Sequence, residues 1–484
     1  MKRISLFLCL LLAVSAVAGN DPAEVVWRTP LKEVGQSGVC VHGDQLFLTV
    51  HTPIEGEGKN FRKSDIIGQC FDKNTGQLLW EVPLPGVEEY LVLDSWRSDT
   101  TTITPLADDK RVVFHNLAGL LLGCDTNGEV LWERPFQPPP KKVPNHGGRL
   151  YLHDGLLIVA LPDEDAGGHR YRLHGIDPAT GEDRWVSEAP QHHASHYSLQ
   201  PWRGEMVVAS SITNLSHYKF GKPFGFLISP RTGEILEKFD LPNASGAHKH
   251  QLHQDAFLVP VRFPSKKENK EKTSYRFVDP RTGETTWDLT FAYPETWYTW
   301  TGEAHEIRPY EEKFIHRYLT NRKVPTYGTV HLFDGRIFYL SLVSPSIGCI
   351  DIETKKVAMI DIPMQAYNGK VGWDDEEVDY LNGAIHNAAG KVVSTRGKRE
   401  LRGPHWAGFG HLCPPHPVRT DDFVYWQGGI GILYRIDLTG EFTPDKISWT
   451  AIDDTQRLWT WGSPGVDSDG VYVRSQLALT RLKW

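Results

Sequence analysis

Gly175-Ile-Asp-Pro-Ala-Thr-Gly-Glu-Asp-Arg-Trp185 is one copy of a pattern that recurs along the 484 residues. Close copies are Cys70-Phe-Asp-Lys-Asn-Thr-Gly-Gln-Leu-Leu-Trp80, Cys124-Asp-Thr-Asn-Gly-Glu-Val-Leu-Trp132, Ile228-Ser-Pro-Arg-Thr-Gly-Glu-Ile-Leu-Glu237 and Val278-Asp-Pro-Arg-Thr-Gly-Glu-Thr-Thr-Trp287. Degenerate copies follow at Cys349-Ile-Asp-Ile-Glu-Thr-Lys355 and Tyr434-Arg-Ile-Asp-Leu-Thr-Gly440. The glycines at 76, 128, 181, 233 and 283 are 52, 53, 52 and 50 residues apart, and positions 355 and 440 follow after a further 72 and 85. A fixed period of this size is the signature of a stacked-repeat architecture.

Each copy reads as strand, tight turn, strand. The Asp carboxylate can accept hydrogen bonds from the turn backbone, and Gly takes positive φ at little cost. The Trp four residues after Gly offers a large apolar body to a neighbouring sheet. Upstream of each copy lies a second turn, such as His153-Asp-Gly155 or Phe333-Asp-Gly335, followed by a β-branched and aromatic run such as Arg111-Val-Val-Phe114 or Arg336-Ile-Phe-Tyr-Leu340. Four strands per unit of about 50 residues describe a propeller blade. The last unit has no outer Thr-Gly-x-x-x-Trp strand, and Val25-Val-Trp-Arg-Thr-Pro-Leu31 is an outer strand without a unit. The fold expected is therefore all-β: an eight-bladed β-propeller of four-stranded antiparallel blades, its ring closed by an N-terminal strand joining the C-terminal blade, which leaves no edge exposed. Two units are swollen, at about 292–325 and 364–410, and long insertions of this kind carry function or cover blade edges.

The pattern resembles the PQQ-like (quinoprotein) β-propeller repeat, with its Ala-x-Asp-x-x-Thr-Gly-x-x-x-Trp consensus, over essentially the whole chain after the leader. That family includes quinone-dependent dehydrogenases, a scaffold lipoprotein of outer-membrane protein assembly, and exported proteins of other kinds. The resemblance implies architecture, because a shared fold does not settle function. The dehydrogenases carry adjacent cysteines over the quinone, and no Cys-Cys occurs here. That departure argues against PQQ and its calcium, and no cofactor is assigned.

Residues 1–18 read as a cleavable leader. Lys2 and Arg3 precede an apolar run from Ile4 to about Val17, and Ala16-Val17-Ala18 supplies small residues for cleavage near Ala18/Gly19. Residues 19–484 then form a single propeller, periplasmic or secreted. No later stretch reaches the roughly 18 apolar residues that a membrane-spanning helix needs. With 60 Asp+Glu against 52 Lys+Arg, the net charge is −8, which excludes a broad electrostatic grip on nucleic acid. A monomer is expected. Five cysteines remain beyond Cys9 of the leader, and no disulfide framework is legible from their spacing. Cys70 and Cys349, two residues before the repeat Asp, read as small buried thiols.

In a propeller, residues just before each innermost strand converge on one mouth of the central channel. The alignment places there Gln36 and Ser37, Asp99 and Thr100, Asn145 and His146, His193 and His196, His248 and His250, Tyr327, His405 and His411, and Trp459 and Trp461. Seven of the 21 histidines fall in these short segments. Converging imidazole, amide and indole groups in a concavity suit a polar ligand such as a saccharide, or a protein partner. The ligand-binding candidates are Asp99, Asn145, His146, His250, His405, His411, Trp459 and Trp461. A second reading is a lyase acting on polysaccharide, with His193, His196, His248 and Tyr327 as catalytic base and acid and Arg97 or Arg149 neutralising a uronate. No residues group as a metal site. His305-Glu306 matches no zinc spacing and reads as a solvated helix turn, and the acidic run Asp374 to Glu377 as a solvated loop.

Overall fold

The computed structural model describes residues 22–55, 61–92, 99–138, 150–163, 171–187, 197–210, 224–240, 251–253, 256–261, 274–279, 282, 284–289, 295–308, 330–340, 346–367, 370–373, 385–394, 416–428, 431–452 and 462–484. The architecture is all-β, consistent with a β-propeller. Four-stranded antiparallel meanders follow one another along the chain, and the first is Cys40–His42, Gln45–His51, Ile66–Asp72 and Leu78–Leu84. Further meanders span 106–135, 151–186, 197–240, 251–289, 330–361 and 418–451. The last combines Gly465–Asp467, Gly470–Arg474 and Ala478–Lys483 with the N-terminal strand Glu24–Pro30. Glu24 pairs with Lys483 and Pro30 with Ala478.

The repeat motif makes the turn between the third and fourth strands. Asp72 Oδ1 accepts from the amides of Asn74 (3.0 Å) and Thr75 (2.7 Å) and from the Thr75 hydroxyl (2.8 Å). The Thr75 hydroxyl, aided by these amides, holds the Asp72 carboxyl below its ordinary range. The backbone then turns at Gly76, with φ +72°. In the degenerate copy Lys355 takes the same left-handed conformation at φ +60°.

The tryptophans join one sheet to the next. Trp80 Nε1 donates to Thr126 O (3.1 Å), Trp132 to Pro178 O (2.9 Å), Trp185 to Pro230 O (2.9 Å) and Trp287 to Ile352 O (3.1 Å). In each case the acceptor lies in the turn of the following sheet. The indole also lies flat on the turn: a Cβ at Gly181 would stand 2.6 Å from the Trp132 ring. Trp27 of the N-terminal strand does the same to the first sheet, donating to Lys73 O (3.2 Å).

The core is accordingly a series of layers between sheets. Phe47, Cys70, Phe114 and Leu122 fill the space between the first and second sheets. Leu46, Leu48 and Phe71 of the first sheet pack with Tyr472 and Leu479 of the last. Lys73, almost wholly buried, adds ion pairs from the first sheet to Asp467 (2.9 Å) and Asp469 (2.8 Å) of the last. Cys40, Cys70, Cys124 and Cys349 are free thiols, and Cys70, Cys124 and Cys349 are buried. Burial pushes Cys349 up to about 12.

The first insertion covers a sheet edge. Thr296–Trp300 adds in parallel to Val357–Asp361, and His305–Arg308 pairs antiparallel outside it. The expected solvated helix turn at His305-Glu306 is therefore corrected. His305 is a strand residue, 3% exposed, its Nε2 bonded to Asp361 O (2.8 Å). The aromatic bed supplied by Trp300 and Trp373 takes it out of water. Asp374 to Glu377 lie outside the described residues.

Gly181→Ala and Gly155→Ala both place a side chain at positive φ, at a cost of about 1–2 kcal/mol. Only Gly181 has an indole against the new Cβ, whereas nothing stands within 4 Å of Gly155. Urea unfolding should show G181A less stable than G155A by a further ~1–3 kcal/mol. Equal losses would show that the tryptophan contact is slack.

Candidate functional site

All connections between sheets leave from one end of the meanders, the end at which each first strand begins; the described hairpin of the second insertion lies there against Glu33, whereas the first insertion runs along the outer edge of the sheet of residues 330–361. The lead-in segments described at that first-strand end are hydrogen-bonded to one another. His416 N donates to Ser463 Oγ (3.0 Å), Val39 N to Ser463 O (3.1 Å), Gly38 N to Thr104 Oγ1 (3.0 Å) and Gln36 N to Thr101 Oγ1 (2.7 Å). This stitches the second-last, last, first and second sheets side by side. Backbones meet so closely that a Cβ on Gly462 would stand 2.3 Å from Ser37 O.

At the centre of this girdle sits Arg474, fully buried at the end of the apolar strand Gly470–Arg474. Its Nη1 donates to Thr49 O (2.7 Å) and Ser37 Oγ (3.0 Å), and its Nε to Ser475 O (3.3 Å). Burial pushes the guanidinium down to about 10, and the Asp99 charge opposes that shift. Asp99 accepts from Thr101 N (2.8 Å), the Thr101 hydroxyl and His51 Nε2 (3.2 Å). The sequence-predicted group Gln36, Ser37, Asp99 and Thr100 is thus brought together, every member buried.

The other predicted residues, Asn145, His146, His193, His196, His248, His250, Tyr327, His405, His411, Trp459 and Trp461, with Arg97 and Arg149, lie outside the described residues. Sequence reasoning missed Arg474, His51 and Glu33. A charge ending the apolar run Val471-Tyr-Val-Arg474 was a visible signal for the first. Glu33 carried none.

Glu33 is a second buried carboxylate at this end. Oε1 accepts from Val34 N (3.0 Å) and Ala388 N (3.0 Å), and Oε2 from Ile54 N (3.0 Å). Ala388 belongs to the second insertion, and the adjoining Asn387 Nδ2 donates to Ile54 O (2.8 Å). Beside this contact Val34, Ile54 and Val92 pack into one cluster with Ile362, Met364 and Ala366 at the insertion's start, and with Phe338 and Trp426. The described part of this end is therefore filled, in part by a polar girdle and in part by an apolar bed. Among the described residues no three His, Cys, Asp or Glu side chains group as metal ligands. Asp99 and Glu33 are engaged by protein donors, and Cys-Cys is absent from the sequence.

A family profile described as outer membrane protein assembly factor BamB, of the PQQ-like repeat type, matches residues 14–259, just over half of the chain. A solved quinohemoprotein alcohol dehydrogenase from Comamonas testosteroni is 11% identical, covers 96% of this chain and 77% of its own, and superposes with a TM-score of 0.50. A second quinohemoprotein alcohol dehydrogenase, ADHIIG from Pseudomonas putida HK5, is 10% identical over 97% of this chain and 77% of its own, with a TM-score of 0.48. BamB from Moraxella catarrhalis is 12% identical over 79% of this chain and 94% of its own, with a TM-score of 0.37. At such identities the likeness concerns the fold alone. No curated protein matches the chain.

Arg474→Met leaves Asp99 and three buried oxygens without their cation, and chemical denaturation should show a loss of about 3–5 kcal/mol. Arg474→Met combined with Asp99→Asn should lose less than the sum of the two single changes, because the groups interact. Additive losses would show the two charges to be independent.

His115 gives a pH signature. It is buried against Phe136, both ring nitrogens lack a partner among the described residues, and burial pushes its pKa from 6.5 to about 3. The neutral ring's contribution is complete above pH 6.5 and falls away below it, by about 1.4 kcal/mol per pH unit until the folded-state value is reached. His115→Leu should remove that part of the acid loss. An unchanged profile between pH 6.5 and 4 would show that the ring is hydrated.

Proposed function

This chain belongs to the PQQ-like repeat family, and on that premise we propose that it is an exported binding propeller rather than an enzyme. It holds a polar ligand, such as a saccharide, or a protein partner at the end where its lead-in segments gather. Eight blades form its ring, closed by the N-terminal strand. Support for closure comes from the pairing of Glu24–Pro30 with Ala478–Lys483, from Trp27 on the first sheet's turn, and from the apolar layer between the first and last sheets. Support for export comes from the leader read in residues 1–18, which precede the described residues.

The observation that carries the binding reading is the placement of non-repeat chain. Every lead-in segment starts from one end of the sheets, and the described hairpin of the second insertion lies there. In repeat proteins such insertions collect on one face, often the face that binds. The described lead-ins are pinned by hydrogen bonds, which makes that end a rigid frame. The histidines of the remaining lead-ins and Trp459 and Trp461 stand next in the chain to first strands that begin at this end. They would supply the polar and stacking groups of the site.

The test is retention of the purified protein on an immobilised panel of neutral and anionic oligosaccharides, alongside cross-linking capture of partners from cell-envelope extract. Trp459→Ala with Trp461→Ala should lower retention at least tenfold while thermal unfolding stays unchanged. Silence in both assays, or equal retention by the variant, overturns the reading. Unsaturated uronate absorbing in the ultraviolet, lost on His196→Ala or His248→Ala, would replace it with the lyase.

A further inference from the structure

The repeat copy at 124–132 differs from the others at a position that carries chemistry. Thr75, Thr180, Thr232, Thr282 and Thr439 each precede the turn glycine of their copy, whereas Asn127 precedes Gly128. The Thr75 hydroxyl is bonded to Asp72 (2.8 Å) and the Thr439 hydroxyl to Asp437 (2.6 Å). Asn127 is exposed, and its Nδ2 lies 3.3 Å from Asp125 Oδ2. An asparagine followed by glycine is labile. The next amide nitrogen can attack the side-chain carbonyl carbon through a five-membered ring, and glycine has no Cβ to hinder the approach. A β-branched follower is bulky and stiff at that point. Asn74, also exposed, is followed by Thr75 and serves as an internal reference. Asn-Gly also occurs at 368–369 and 382–383, which lie outside the described residues.

The turn that holds Asn127 is also the anchor of a joint. Thr126 O accepts from Trp80 Nε1 (3.1 Å) and from Gln45 Nε2 (2.9 Å), so two side chains of the first sheet rest on the carbonyl just before Asn127. The Trp80 ring lies against Gly128, where an added Cβ would stand 2.6 Å from it. Asp125 Oδ1 closes the turn by accepting from Asn127 N (2.9 Å) and Glu129 N (2.8 Å). Gly128, at φ +90°, donates its amide to Asp125 O over 3.2 Å. Release of that long bond frees the nitrogen, and brief local openings of an exposed turn suffice for it.

We propose that Asn127-Gly128 is a site of spontaneous covalent modification, deamidation to isoaspartate, and that the conversion loosens the joint between the first and second sheets. Gly128 N bonds to Asn127 Cγ as the Cγ–Nδ2 bond breaks, and the amide proton leaves with Nδ2 as ammonia. One water then opens the resulting succinimide at either carbonyl. Opening at the main-chain carbonyl routes the backbone through Cβ and Cγ, which adds one methylene to it and leaves an α-carboxylate. No electron is transferred, and water is the only co-reactant. The added length shifts Gly128 from beneath the Trp80 ring, and the new charge stands beside Asp125 and Glu129.

Ageing of the full chain in mildly alkaline buffer, followed by electron-transfer mass spectrometry, tests this. Asn127 should convert at least tenfold faster than Asn74, with isoaspartate exceeding aspartate. Carboxyl methylation by an isoaspartyl methyltransferase, with S-adenosylmethionine as donor, should label the peptide that contains it. Conversion no faster than at Asn74 overturns the site. In the aged chain, hydrogen exchange should rise at least fivefold in peptides covering 78–84 and 120–135, while peptides from 470–483 keep their protection. Asn127→Thr gives the turn the residue that the other copies carry there, and it should age without that rise, Asn368 and Asn382 being retained. An equal rise in this variant overturns the link to the joint. Aged against fresh wild-type chain needs no substitution, so conversion of Asn127 with unchanged exchange at 78–84 overturns the loosening even if the variant does not fold.

Discussion

The contact on which the molecule depends is an indole N–H donating to a carbonyl in the next sheet's turn, with the ring laid on that turn's glycine. One side chain does two things there. It satisfies its own polar atom, and it fixes the distance and tilt between adjacent sheets. The turn must be tight enough to present the carbonyl, so the Asp and Gly of one repeat serve the Trp of the one before it. Trp132 meets Pro178 and Gly181, and Trp185 meets Pro230 and Gly233. Where the glycine is replaced, as at Lys355, another contact is recruited. Lys355 sends its ammonium over the Trp287 ring at 5.3 Å and to Asp288 O.

This arrangement explains what could be read from the sequence. The turn is local, so Asp72, Thr75 and Gly76 announce it within five residues, and the Trp position follows by counting. The outer strand without a unit, Val25 to Leu31, was legible because the repeat is so regular that a missing strand shows. The polar girdle was legible only as a location. That Gln36, Ser37, Asp99 and Thr100 would meet followed from the register. That Arg474 would hold them did not, because its partners are backbone oxygens contributed by distant strands. His305 misled because a His-Glu pair looks like surface, whereas its burial is created by Trp300 and Trp373 from two different insertions.

The two ends of the sheets divide the labour. At one end are the repeat turns, with their Asp-centred hydrogen bonds and the Lys73 ion pairs. At the other are the girdle, the described hairpin of the second insertion and the carboxylates of Asp99 and Glu33. The repeat supplies stiffness at the first end and frees the second for sequence that obeys no period.

The union of Glu24–Pro30 with Ala478–Lys483 also bears on how the molecule comes into being. It joins strands from opposite ends of the described residues, and pairings of that kind form slowly. No growing chain can complete it. Until residue 478 has been synthesised, Leu46, Leu48 and Phe71 have no Tyr472 or Leu479 to lie against, and a whole apolar face of the first sheet stays wet. The interval between the birth of that face and its burial is a window for misassembly and for chaperone capture, and its length is set by the translation of everything between Phe71 and Leu479.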